Sequence, residues 1–254
     1  MLSVPQASPP FRPNLRGRWR RTRILATGCL LLITASLAAA GEITLPSLLG
    51  EMTDYSAVAR WPAPGFTTRQ CSSYDRAEVA PDQPGWFANA DFSQYLREEK
   101  RAGRREMVMM DANGPGCIVR FWLTTTQNKK GTLRIYLDGN PRPLLQFPAF
   151  DLLSGDLHLN GPLDQPHPGY GPTENGGNTL MLPIPYAKHC EVTWEEAGDG
   201  PRYYQIDYRT YAPGTKVQTL TRQTLKSGWT TSHSPLFSAP ARRITMTSRL
   251  RPVV

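Results

Sequence analysis

The stretch 41–228 predicts an all-β protein, an antiparallel jelly-roll β-sandwich. Three observations carry this. Short runs rich in β-branched and aromatic residues recur, some alternating with period two; Pro- and Gly-rich connections separate them; and a single segment has helical character.

The helical segment comes first. "DFSQYLREEKRA", 91–102, has the composition of a helix, with Asp91 placed as its N-cap. "EMVMM" then leads into the turn cluster "DANGPG", and "CIVRFWLTTT" reads as a strand. In "TLRIYLDGNPRPLLQF", Leu133, Ile135 and Leu137 alternate with Arg134 and Tyr136, and Asp138-Gly139 supplies a turn, so a hairpin is expected. The residues from Leu153 to Asn178 read as a long loop over one end of the sandwich. "NTLMLPIPY" and "HCEVTWEE" follow as strands. In "RYYQIDYRTY", Tyr204, Ile206 and Tyr208 share one face, and Gln205, Asp207 and Arg209 the other. "KVQTLTRQTL" closes the series as a strand, or as a strand running into a short helix.

Charge is concentrated at the two ends. Residues 1–40 hold six arginines (Arg12, Arg16, Arg18, Arg20, Arg21, Arg23) and residues 229–254 four more, with no acid in either stretch. Removing these ten from the formal +8 leaves 41–228 at −2, without the basic footprint of a nucleic-acid binder. Arg16–Arg23, the apolar run "ILATGCLLLITASLAAAG" and Ala38-Ala39-Ala40 have the layout of a signal peptide over 1–40, with maturation near Gly41. Export to the periplasm or the extracellular space is therefore expected, with an uncleaved membrane anchor as the alternative. The tail 229–254 is basic and aperiodic and is expected to be disordered.

Maturation would leave Cys71, Cys117 and Cys190, which permit one disulfide and one free thiol in an oxidising compartment. No C-x-x-C pair is present. "DLHLNGPLDQPHPGYG" holds Asp156, His158, Asp164 and His167, types able to bind a metal, but a solvated polar loop is the expectation, and neither metal nor cofactor is assigned. Neither G-x-G-x-x-G nor G-x-S-x-G occurs.

Glu191, Glu195 and Glu196 are the local glutamate cluster. Glu191 and Glu195 face the same way, yet four residues of strand part their backbones by about 13 Å. Glycosidase carboxyl pairs lie about 5–9.5 Å apart, so an exposed acidic edge is expected. "CSSYDRAEV" and "GWFANADFSQYLREE" suit carbohydrate better. Tyr74, Trp86 and Phe87 offer flat apolar faces, while Asp75, Arg76, Asn89 and Asp91 offer hydrogen-bonding groups. Tyr74, Asp75, Arg76, Trp86, Asn89 and Asp91 are the candidate substrate-binding or interface residues.

These residues also carry a resemblance. "SSYDR", "GWFANADFSQYLREE", "EMVMMDANGPGCIVRFWLTT", "LRIYLDG", "LMLPIPYAKHCEVTW" and "YYQIDYRTY", in this order between about Leu48 and Leu225, resemble domain of unknown function 2961, also known as glycoside hydrolase family 172. The resemblance implies two tandem jelly rolls, of which this chain matches the N-terminal one, and a homo-oligomer built on trimers. It implies retaining hydrolysis of furanosides, of the α-fructofuranoside or D-arabinofuranoside class, by two glutamates. One of those glutamates belongs to a "GTG-(S/T)-EDY"-like segment that this sequence does not contain, so no catalytic residue is assigned. The expectation is a truncated, catalytically incomplete hydrolase. The alternatives are a short one-domain variant and a non-catalytic carbohydrate-binding or assembly module.

Overall fold

The computed structural model describes residues 41–126, 128–152, 163–166 and 176–225. The signal-like segment and the basic tail lie outside these residues. Among the described residues eleven strands form two antiparallel sheets: β1 (Phe66–Ser72), β2 (Arg97–Arg101), β3 (Arg104–Asn113), β4 (Gly116–Thr125), β5 (Lys130–Leu137), β6 (Leu145–Ala149), β7 (Asp164–Pro166), β8 (Gly176–Leu180), β9 (Ile184–Tyr186), β10 (His189–Glu196) and β11 (Arg202–Tyr211). One sheet runs β1-β11-β4-β8-β7, with β9 also paired to β4; the other runs β2-β3-β10-β5-β6. The all-β sandwich expectation is met.

Period-two patterning sets the core. On β10, Cys190, Val192 and Trp194 point inward, opposite Leu137, Ile135 and Leu133 of β5. On β11, Tyr204 and Ile206 lie opposite Leu123 and Phe121 of β4, all buried. Their polar neighbours take the outer face, where Asp207 accepts from Gln70 Nε2 at 2.7 Å and Arg120 Nη1 at 3.0 Å. Bulges re-aim two strands. One in β3 lets the adjacent Met109 and Met110 both be buried; the other lies between Asp207 and Tyr208 in the β11–β4 pairing. Gly131, at φ +141°, lies so close to the Trp194 ring and the Glu195 carbonyl that a Cβ there would collide with both.

Three sequence expectations are corrected. The segment 91–102 is an irregular stretch followed by strand β2, not a helix. Ala102 and Gly103 both have positive φ, 51° and 79°, and turn the chain directly into β3. Cross-strand pairing then outweighs the helical composition, with Arg105 gripping Glu98 at 2.9 and 2.6 Å. The expected 153–178 loop contains β7 and the start of β8, which extend the sheet beyond β4. "KVQTLTRQTL" forms no named strand; Val217 makes a single parallel bridge to Ile43, and a helical turn spans 222–225.

The described chain before β1 holds a short helix, α1 (Leu45–Glu51), started by a Thr44–Ser47 capping box with Pro46 in its first turn, and a 3-10 turn over Tyr55–Ala59. Leu45 and Leu48 anchor it. Among the described residues no helix is long and apolar enough to cross a membrane. Cys71, Cys117 and Cys190 are all free thiols, and burial pushes each of them up, so they pack as small apolar residues.

Candidate functional site

Between β1 and β2 the chain makes a surface loop whose two ends are tied together. Ser73 starts the tie: its N–H donates to the Tyr204 carbonyl at 3.1 Å, its Oγ accepts from Tyr204 N at 3.1 Å, and its hydroxyl donates to the Asp91 carbonyl at 2.9 Å. Asp75 continues it. Its Oδ1 accepts from Ala77 N and its Oδ2 from Ala90 N, both at 3.0 Å, and its own N–H donates to Asp91 Oδ1 at 2.7 Å. Both carboxylate oxygens are thus used on backbone donors, the farther of them fifteen residues along the chain from Asp75, which closes the loop without a regular element.

The closed loop presents its aromatic residues outward. Tyr74 is 51% exposed, Trp86 51% and Phe87 65%. Arg76 donates from Nη2 to the Ser72 carbonyl at 3.1 Å, and its guanidinium carbon sits 4.8 Å from the Tyr74 ring centre. Trp86 and Phe87 tilt together with centroids 5.6 Å apart. Asn89, next to the Ala90 anchor, is exposed. The sequence-derived candidates therefore fall into two roles. Asp75 and Asp91 hold the backbone, whereas Tyr74, Arg76, Trp86 and Asn89 face out.

The second polar region is the outer face of the β2-β3-β10-β5-β6 sheet, and here the expectation of an exposed acidic edge is corrected. β10 is the central strand of that sheet, so its glutamates lie amid neighbours from both sides. Glu191 is buried, its Oε2 taking Arg101 Nη2 at 2.8 Å, and Glu195 takes Arg134 Nη2 at 2.7 Å. Between them Glu106, also buried, accepts from the Tyr136 hydroxyl, from Thr193 Oγ1 at 2.8 Å and from Arg104 Nε at 3.0 Å. Arg101 covers the Tyr136 ring at 4.3 Å. Asp111 joins at one end through His189 and Arg97, each at 2.7 Å. Although burial alone would raise it, these hydrogen bonds hold the Asp111 carboxyl below its ordinary value.

That network bears on catalysis. A retaining glycosidase needs one carboxylate free to attack and a second held protonated beside it. Glu191 and Glu195 are each committed to an arginine. Asp164 is the described carboxyl that the surroundings push up, to about 6, through burial and then the charge of Asp151, and it lies inside the sandwich. Asp156, His158 and His167 lie outside the described residues, and among the described residues no cluster of three or more His, Cys, Asp or Glu side chains is positioned to hold a metal.

A family model described as the GH172 first beta-sandwich domain matches residues 64–228. The chain belongs to glycoside hydrolase family 172. The matched span begins just before β1 and runs past the last described residue, so it includes both sheets and the aromatic loop. No curated protein matches the chain.

Within this family 172 sandwich, sequence reading found the loop but missed the Glu106 network and Arg202. Arg202 is fully buried and reaches Glu196, Thr125 and the carbonyls of Asn128 and Lys130. A partial signal exists. Arg134 stands between the apolar Leu133 and Ile135, opposite Thr193, and all five residues from Arg97 to Arg101 are charged.

Proposed function

We propose that this chain is the first sandwich of an exported, furanoside-active glycoside hydrolase, of the α-fructofuranoside or D-arabinofuranoside class, and that its loop 74–92 contributes sugar contacts. The observation that supports this best is the loop itself. It is fixed by Asp75 on both sides, yet leaves Tyr74, Trp86 and Phe87 about half exposed or more. Aromatic faces held rigidly beside Arg76 and Asn89 match the apolar C–H faces and peripheral hydroxyls of a sugar ring. The basic and apolar N-terminal segment supports export.

The second reading is a non-catalytic carbohydrate-binding or oligomer-assembly module. It is favoured by the engagement of Glu191 and Glu195 with arginines. Both readings agree that these glutamates do not perform hydrolysis. The purified chain, given aryl α-fructofuranoside and aryl D-arabinofuranoside, is expected to release no aryl alcohol above the buffer rate. Turnover that disappears in Glu191→Gln or Glu195→Gln would show that one of them is the nucleophile or the acid/base, and would overturn this reading of the outer sheet face.

A further inference from the structure

Where the edges of the two sheets approach, two buried side chains whose oxygens lack hydrogen-bond partners, Asp164 and Asn178, meet the carboxylate of Asp151. Asp164, on the edge strand β7, is 3% exposed, and neither of its carboxylate oxygens has a hydrogen-bond partner. Asn178, on β8, is 0% exposed and its Oδ1 is likewise unpartnered. The antiparallel register pairs Asp164 with Leu180 and Pro166 with Asn178, which sets Asp164 and Asn178 diagonally on one face of the ribbon. Asp151 arrives from the other sheet, just beyond β6. Its Oδ1 accepts from Asn178 Nδ2, and its Oδ2 accepts from Lys129 Nζ at 2.9 Å.

This arrangement is costly as it stands. An unpaired buried carboxylate is among the least favourable groups a protein can hold, and natural structures pair it, protonate it or give it to a metal. Lys129 offsets one of the two negative charges through Asp151, which leaves Asp164 without a counter-charge. The charge of Asp151 nearby adds to the burden on Asp164. The donors are all oxygens: the two carboxylates of Asp151 and Asp164 and the amide carbonyl of Asn178. Oxygen-only donor sets select hard cations. Calcium tolerates an irregular shell completed by water and backbone carbonyls, whereas magnesium demands near-octahedral geometry and sheds water reluctantly.

We propose that Asp151, Asp164 and Asn178 form a calcium site that fastens the edge strand β7 to the chain leaving β6, and so ties one sheet of the sandwich to the other. The site is independent of the carbohydrate reading, because it lies in the sandwich interior and uses none of the loop residues.

The test uses the whole chain, stripped with a chelator and desalted, then examined by scanning calorimetry and metal analysis at constant ionic strength and pH 7.5. One calcium per chain is expected, with a rise in Tm of roughly 5–10 °C when calcium is about a hundredfold above its Kd. Magnesium should give a smaller shift at equal concentration. Asp164→Asn keeps the shape and removes the charge. It should abolish the calcium response while leaving the metal-free Tm no lower than that of the parent chain, a pairing that simple misfolding would not produce. Asp151→Asn should also lose the response. If the parent chain binds no calcium and its Tm is unmoved, or if Asp164→Asn keeps the full response, the proposal is wrong and Asp164 is a buried neutral acid.

Discussion

Glu196→Ala is expected to destabilise the chain by about 3–5 kcal/mol, the cost typical of stranding one member of a buried ion pair. Glu196 holds Arg202 through two contacts, Nη2 to Oε1 at 2.6 Å and Nε to Oε2 at 2.9 Å, and also accepts from Trp194 Nε1 at 2.8 Å. The two partners are unequal. The Arg202 side chain is 0% exposed, whereas that of Glu196 is 34% exposed. Removing the acid therefore leaves a guanidinium that cannot reach water, packed 5.1 Å from the Trp194 ring and 5.4 Å from that of Phe150. Removing the base instead, as in Arg202→Met, lets Glu196 turn to solvent and keeps most of the packing. That variant should lose about 1–3 kcal/mol, from the unpaired carbonyls of Asn128 and Lys130. For a chain of this size the Glu196→Ala loss corresponds to a fall in Tm on the order of 10 °C. Calorimetry of the two variants checks the ranking. Burial would raise the Glu196 carboxyl, but Arg202 and Trp194 hold it below its ordinary value. Its contribution is therefore present above the unfolded pKa and is lost as pH falls through the folded one, so parent and Glu196→Ala should converge in acid.

Glu106→Ala should cost about as much, about 3–5 kcal/mol, for the complementary reason. Here the acid is the fully buried member, with Arg104 34% and Arg134 6% exposed around it. Its removal leaves the Tyr136 and Thr193 hydroxyls without their acceptor and Arg134 facing a cavity. Glu106→Gln keeps an acceptor but not the charge, and should fall between the parent and Glu106→Ala. Denaturant unfolding of both variants measures the order; a Glu106→Ala midpoint equal to the parent's would show that this network does not hold the sheet.

How much of this was legible in the sequence depends on the range of the interactions involved. The strands with strict alternation, such as "TLRIYL" and "RYYQIDYRTY", were readable because inward and outward residues differ in polarity at each step. The segment 91–102 was not readable, because its helix-forming Glu, Lys and Arg residues are stabilised instead by partners on β3, reached through a turn that needs positive φ at Ala102. The glutamates of β10 misled for a related reason. A run of acids on one strand looks like an edge until the arginines of β2 and β5, dozens of residues away, are brought beside it. The aromatic loop was found from composition, but the role of Asp75 as its double clasp depends on Ala90 and Asp91, which only the fold brings near. The Asp151–Asp164–Asn178 group joins three separate segments of the chain, and no local spacing announces it.

The claim that the Asp75-closed loop meets carbohydrate is tested most directly by nuclear magnetic resonance of the isotope-labelled whole chain, titrated with methyl α-D-fructofuranoside and methyl α-D-arabinofuranoside. The expected result is a set of saturable shifts centred on Tyr74–Asp91, weak in affinity, with the sugar signals unchanged over the titration. Trp86→Ala should abolish the shifts without altering Tm, and Asp75→Ala should weaken them as the loop loosens. Shifts that map instead to the outer sheet face around Glu191, or no shifts with either sugar at millimolar concentration, would contradict the assignment of this loop to furanoside binding.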